Sequence, residues 1–117
     1  MNFNQAVITA FSKYAVFTGR ASRPEFWWFA LFNVMVAIAA TIVDATIGIE
    51  LFSIAAGLAL LLPGLGVAVR RLHDTDRTGW WVLIGIIPII GLVVLIIFYA
   101  TPGTPGANEY GPPPTTA

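Results

Sequence analysis

The sequence predicts an all-α membrane protein, in which three transmembrane helices follow an amphipathic interfacial helix and precede an irregular tail. Of the 117 residues, 57% are hydrophobic and only 10% are charged, whereas a soluble domain carries about 25% charged residues. So few charges cannot cover a folded surface with solvated groups. The length predicts one domain, residues 1–117.

Three apolar stretches are long enough to cross a bilayer, because its hydrocarbon core needs roughly 20 residues of helix. The predicted spans are residues 24–44, 50–69 and 79–100. Ser22 and Glu25 flank Pro24 in the pattern of a capping box, which indicates where the first span begins. Pro63 and Pro88 predict kinks in the second and third spans, each packed against protein.

The two ends of the chain differ from the spans. Residues 1–19 place apolar side chains three or four positions apart, which predicts an amphipathic helix too polar to span. Such a helix lies flat at the interface or packs on the bundle, and periodicity does not separate the two. Residues 101–117 contain five prolines, which predicts an extended, irregular tail.

The first apolar run continues past a site resembling a cleavage signal at residues 37–39, so no signal peptide is predicted.

Charge is distributed unevenly between the two sides that three spans would separate. The basic residues all fall on one side: Lys13, Arg20, Arg23, Arg70, Arg71 and Arg77. The other side carries only acidic residues: Asp44, Glu50 and Glu109. Because cytoplasmic loops carry the excess of Lys and Arg, the sequence predicts a cytoplasmic N-terminus and a C-terminus outside.

Two polar clusters on the predicted cytoplasmic side contain the residues best suited to bind a ligand. Each cluster ends in two predicted interface anchors: Trp27 and Trp28, and Trp80 and Trp81. Guanidinium groups match phosphate oxygens, so five arginines are candidate contacts for anionic lipid head groups: Arg20, Arg23, Arg70, Arg71 and Arg77. Alternatively, these arginines form structural ion pairs with Glu25, Asp74 and Asp76. The clusters should then meet, since a lone buried charge is costly.

Motifs for catalysis or cofactor binding are missing from the sequence. His73, the single histidine, is a candidate titrating group. It lacks the additional His or Cys ligands that zinc favours. The absence of cysteine excludes thiolate catalysis and iron–sulfur clusters, and no phosphate loop or dinucleotide fingerprint is present. We therefore expect no enzymatic activity, no cofactor, no metal and no nucleic-acid partner.

Three segments resemble the bacterial inner-membrane proteins of domain-of-unknown-function family 805. They are GRASRPEFWW at residues 19–28, RRLHDTDRTGWW at 70–81 and GTPGANEYGP at 103–112. Pro24 and Thr78 stand where that family often has another small or polar residue. The resemblance implies a multi-span helical fold in the bacterial plasma membrane, and it implies no particular activity.

Two functions follow as expectations. The first is a non-enzymatic membrane protein that acts through lipid or protein contacts at the arginine-rich clusters. The alternative is a subunit of an oligomeric transporter or channel, although the spans lack the intramembrane charges that mark ion paths. Small residues at Ala37 and Thr41, and at Ser53 and Gly57, predict close packing of the first two spans as a hairpin or, alternatively, a homo-oligomer.

Overall fold

The computed structural model describes residues 1–114, and the described chain is helical apart from its tail. Four α-helices and one 3₁₀ helix follow one another: α1 (Phe3–Ser12), α2 (Arg23–Ile47), α3 (Phe52–Asp74), the 3₁₀ helix (Gly79–Ile86) and α4 (Ile90–Ala100). The C-terminal tail, residues 101–114, contains an isolated bridge between Asn108 and Gly111. The predicted tail ran to residue 117, so its last three positions lie outside the described residues.

Helices α2 and α3 are the two helices long and apolar enough to cross a membrane in the described chain. They contain 25 and 23 residues, so each exceeds the roughly 30 Å of a hydrocarbon core at about 1.5 Å per residue. Ser22 caps α2 by accepting a hydrogen bond from the Glu25 amide at 3.3 Å. Helix α3 continues past the predicted end at residue 69 through the charged residues, because those charges are paired inside the protein.

A short turn joins α2 and α3 as antiparallel neighbours, as predicted. Gly48 ends α2 with a left-handed backbone, φ +80°, a conformation in which glycine carries no steric penalty. Asp44 then caps α3, because its two carboxylate oxygens accept from the amides of Phe52 at 2.8 Å and Ser53 at 2.9 Å. These amides begin a helix and therefore lack intrahelical partners.

The small residues do not form the tight contact that the sequence predicts between the spans. A side-chain carbon added at Gly57 or Gly64 would meet no atom within 4 Å. Ala37 and Ser53 line the same groove of about 620 Å³ between α2 and α3. The spans are held together instead by larger side chains around Phe29 and Val67.

Helix α1 packs one face against both spans. Its first turn is closed by a capping box between Asn2 and Gln5. Ala10 lies in one buried cluster with Phe29 and Val67. The opposite face is open, since Ile8 is 67% exposed. The amphipathic helix is therefore present, but it ends at Ser12 rather than at residue 19.

The predicted third span, residues 79–100, is wrong as a single helix. The 3₁₀ helix contains 8 residues and α4 contains 11, so neither half can cross a bilayer. A γ-turn separates them: the Ile90 amide donates to the Pro88 carbonyl at 2.7 Å around Ile89, whose φ is +65°. Pro88 supplies no amide donor, which weakens a helix at this position, and the close approach of Gly91 to Ile84 favours the turn over a continuous helix. We call residues 79–100 the apolar hairpin.

The two arms of the apolar hairpin pack against each other and end together. Gly91 is buried, and a side-chain carbon there would lie 1.8 Å from the Ile84 carbonyl oxygen. The first arm begins beside Val69, which lies close to Gly79. The second arm ends where the Tyr99 carbonyl accepts from Arg71 Nε at 2.9 Å. The tail therefore lies at the same end of the spans as the N-terminal cluster, which contradicts the predicted separation.

Replacing Gly91 with alanine should destabilise the protein by about 1–3 kcal/mol, the usual cost of overpacking. The added carbon meets backbone rather than a movable side chain. Thermal unfolding in detergent measures the effect. The matched control is Gly57→Ala, which faces open space and should be neutral or slightly stabilising because alanine favours helix. Equal melting temperatures for the two variants would contradict the packing of the arms.

Candidate functional site

The charged end of the spans is built from three separate parts of the chain. The segment before α2 pairs with the last turns of α3, since the Ala21 amide donates to the Arg70 carbonyl at 3.0 Å. The tail joins them through the Thr104 amide, which donates to the Asp74 carbonyl at 2.8 Å. Five buried ionic side chains meet there and form what we call the ion cluster: Arg20, Glu25, Arg70, Arg71 and Asp74.

The Asp74 carboxylate joins two of the arginines. Its Oδ1 accepts from Arg20 Nε at 2.9 Å, and its Oδ2 accepts from Arg71 Nη1 at 2.5 Å. All three side chains are almost fully buried. Charge-assisted bonds in this setting are stronger than neutral ones, so Asp74 holds the segment before α2 against the end of α3.

Glu25 pairs with Arg70 in the second half of the ion cluster. Arg70 Nη1 donates to Glu25 Oε2, and both side chains are buried. Arg70 Nε and Nη2 find no hydrogen-bond partner among the described residues. The cluster contains three guanidinium groups and two carboxylates, so it buries an excess of one positive charge.

The tail supplies neutral acceptors to further donors of Arg20 and Arg71. Arg20 Nη1 donates to the Gly106 carbonyl at 2.7 Å, and Arg20 Nη2 donates to the Thr104 carbonyl at 2.6 Å. Arg71 Nη2 donates to the Thr101 carbonyl. An irregular segment has carbonyl groups that no helix or sheet uses, and these groups require partners. The tail is therefore held in place by its backbone.

Gly103 allows the tail to lie close to the ion cluster. A side-chain carbon at Gly103 would lie 2.1 Å from Asp74 Oδ2, so any other residue would collide with the ion cluster. The sequence predicts only an extended tail, so this role of Gly103 was not predicted. The available signals were the small residues between positions 103 and 107 and the resemblance of residues 103–112 to the family segment.

His73 is held by contacts with the segment before α2 and with the tail. Its Nδ1 lies 3.0 Å from the Gly19 carbonyl, which can only accept, so Nδ1 carries the proton in this contact. The ring stacks on Tyr110 with the centroids 4.1 Å apart, and the His73 carbonyl accepts from Asn108 Nδ2 at 2.9 Å. Residues 1–114 contain no group of three or more His, Cys, Asp or Glu side chains placed to hold a metal ion.

The structure brings together most of the charges that the sequence expected to meet. Arg20 reaches Asp74, and Glu25 reaches Arg70. Asp76 is different: it forms no ion pair among the described residues, and its carboxylate accepts from the Glu109 amide at 3.3 Å. Its exposed position explains this, because solvent can satisfy the charge without an arginine.

Burial divides the five candidate arginines into two groups. Arg20, Arg70 and Arg71 are at most 6% exposed, so they are not positioned to contact a head group at the surface. Arg23 is exposed and donates one long bond, 3.4 Å, to the Ala100 carbonyl. Arg77 is half-buried, with its guanidinium 4.1 Å from the centre of the Phe98 ring.

A small polar pocket opens beside Arg23. It encloses about 240 Å³ between the start of α2 and the tail, and its lining includes the paired side chains of Arg20 and Asp74 together with Ser22 and Thr104. The positive end of the α2 dipole points toward this pocket, which favours an anion there. Four partly exposed tryptophans lie around the same end: Trp27, Trp28, Trp80 and Trp81. Their rings suit a membrane interface.

Comparisons with known proteins identify close sequence relatives. A family model described as "Protein of unknown function (DUF805)" matches residues 14–112. Inner membrane protein YhaI of Escherichia coli strain K12 is 43% identical over 112 residues, covering 94% of this chain and 95% of that protein. Inner membrane protein YhaH of the same strain is 39% identical over 107 residues, covering 86% and 88%. No solved structure matches the chain.

Replacing Asp74 with asparagine should lower the free energy of unfolding by about 3–5 kcal/mol, the cost of breaking a buried ion pair. The change leaves Arg20 and Arg71 without their shared carboxylate. Thermal unfolding in detergent provides the measurement. Asp76→Asn is the control, since this exposed aspartate has no ion pair among the described residues, and it should stay within about 0.5 kcal/mol. Similar melting temperatures would contradict a central role for Asp74.

Proposed function

The chain belongs to the family described as DUF805, and from this premise we propose a non-enzymatic protein of the bacterial inner membrane that binds anionic lipid head groups. The binding residues are the exposed cations at the charged end of the spans. Two helices are long and apolar enough to cross a bilayer, and the relatives YhaI and YhaH carry the name of inner membrane proteins.

The charged end faces the cytoplasm in this proposal. All five arginines of the chain lie in or beside the segments that meet there, while Asp44 and Glu50 lie at the opposite end of α2 and α3. Cytoplasmic segments of membrane proteins carry the excess of basic residues. The N-terminus is therefore cytoplasmic.

The proposal rests on the difference in exposure between the arginines of the ion cluster, which are buried, and Arg23, which is exposed. Carboxylates and backbone carbonyls accept hydrogen bonds from Arg20 and Arg71. Arg23 is exposed and, among residues 1–114, its guanidinium donates one long hydrogen bond. Arg23 stands at the polar pocket beside the start of α2. A lipid phosphate there would gain a guanidinium fork and the helix dipole, while the excess positive charge of the ion cluster adds attraction.

Helix α1 supports the same orientation. Its outer face exposes Ile8, and Val16 and Phe17 are exposed in the connecting loop. An amphipathic helix with such a face lies in the head-group region of a bilayer.

A second candidate function is a subunit of an oligomeric transporter or channel. The observation that favours it is the open groove between α2 and α3, in which Asn33, Thr41 and Ser53 place polar side chains along an otherwise apolar wall. Two spans cannot enclose a path, so several copies would have to assemble. Mass measurement of the purified protein in detergent tests this function, and a monomer would count against it.

Replacing Arg23 or Arg77 with glutamine should reduce retention of phosphatidylglycerol by about five-fold per arginine, because one cation near an anionic lipid surface contributes about 1 kcal/mol. Native mass spectrometry can count bound lipids in an equal mixture of phosphatidylglycerol and phosphatidylcholine. The preference should also weaken at high salt.

Glu109→Gln is the matched control for this experiment. Its side chain is exposed at the same end of the molecule, but it removes a negative charge, so the preference for phosphatidylglycerol should be kept or slightly increased. Arginine variants that retain phosphatidylglycerol as well as the unchanged protein would overturn the proposed function.

A further inference from the structure

We propose that the apolar hairpin is a second lipid-binding surface, which enters the hydrocarbon of the cytoplasmic leaflet and returns to the same side. The C-terminal tail is then cytoplasmic, like the N-terminus. This inference uses the orientation of the charged end, but it does not depend on head-group binding by Arg23. Its partner is the acyl region of a single leaflet.

Both ends of the apolar hairpin are fixed at the same level of α3. The entry is packed at Gly79 against Val69. The exit is held by Arg71, whose guanidinium donates to the carbonyls of Tyr99 and Thr101. Because both ends of the segment are fixed at the charged end of the spans, the segment enters and leaves the bilayer on the same side.

The lengths of the two arms match one leaflet. The first arm is a 3₁₀ helix of 8 residues, which extends about 16 Å at roughly 2 Å per residue. The second arm is an α-helix of 11 residues, which extends about 16 Å at roughly 1.5 Å per residue. Half of a hydrocarbon core is about 15 Å. The two arms are thus equal in reach, and each spans one leaflet.

The packing of the inner face places the hairpin beside the cytoplasmic half of α3. Leu95 and Tyr99 share a buried cluster with Ala68 and Leu72. Both α3 residues lie in the last two turns of that helix, next to the ion cluster. The hairpin therefore covers the part of α3 that lies closest to the charged end.

The outer face and the turn are suited to hydrocarbon. Residues 79–100 contain no charge, and Ile86 and Ile89 are each 78% exposed. The turn leaves few backbone donors open, because the amides of Ile87, Ile90 and Gly91 donate within the hairpin and Pro88 has none. Lipid tolerates irregular backbone only when its polar groups are satisfied internally, and this turn largely meets that condition.

Single-cysteine labelling tests the topology, and the chain contains no native cysteine. Ala107→Cys lies in the exposed tail, and Ile49→Cys lies in the exposed turn between the spans. A membrane-impermeant maleimide should label Ala107→Cys in inside-out vesicles and Ile49→Cys in spheroplasts, each several-fold faster than in the opposite preparation. Labelling of both cysteines from the same side would show a full third span, and labelling of Ala107→Cys in spheroplasts with Ile49→Cys in inside-out vesicles would place the hairpin in the other leaflet; either result overturns the proposal.

A spin label at the tip tests the partner. Ile86→Cys carries the label, and Leu61→Cys near the middle of α3, also exposed, serves as the reference for the bilayer centre. In reconstituted vesicles the tip label should collide with oxygen far more often than with a water-soluble nickel chelate, at a depth no greater than the reference. Protection from both reagents would mean that a second copy covers the tip, and frequent nickel collisions would place it in water; either result overturns the proposal.

Failure of this proposal is distinguishable from failure of the proposed function. The maleimide and spin-label measurements report where residues 49, 86 and 107 lie, whatever lipid Arg23 binds. Loss of phosphatidylglycerol preference in the Arg23 variant would stand even if the hairpin crossed the membrane.

Discussion

The buried carboxylate of Asp74, shared between the guanidinium groups of Arg20 and Arg71, is the interaction on which the remaining structure depends. Removing ionic groups from water costs several kcal/mol per ion, so each buried arginine must find acceptors with good geometry. The acceptors come from segments far apart in sequence. The segment before α2, the end of α3 and the tail are consequently held together, and both ends of the apolar hairpin are brought to the same place.

This arrangement changes how the arginine-rich motifs are understood. A run of arginines beside a membrane suggests head-group binding, but most of these guanidinium donors already have protein partners. Arg23 and Arg77, which lie outside the ion cluster, remain accessible in whole or in part. Structural and lipid-binding roles are thereby divided among neighbouring residues of the same motif, and substitutions within that motif should separate loss of stability from loss of lipid preference.

The apolar hairpin also affects how much of the protein lies in each leaflet of the membrane. Two full spans and one half-depth hairpin make the protein wider on the charged side than on the other, with α1 adding further width at that same end. The groove between α2 and α3 remains open along much of its length. Such a shape offers most of its contact surface to the leaflet that faces the charged end, where the exposed cations also lie.

The sequence by itself determined the membrane class, the helices α2 and α3, the serine cap of α2 and the meeting of opposite charges, because hydropathy, capping chemistry and the cost of buried ions are local or pairwise properties. Tertiary structure alone decided that residues 79–100 fold back, since a charge-free stretch of that length has the same hydropathy whether it crosses once or turns at Pro88. The deciding contacts are long-range: Arg71 donates to the carbonyls of Tyr99 and Thr101. Arg20 likewise donates to the carbonyls of Thr104 and Gly106 in the tail. Every residue type carries a backbone carbonyl, so a sequence does not indicate which carbonyls will accept hydrogen bonds from a given arginine.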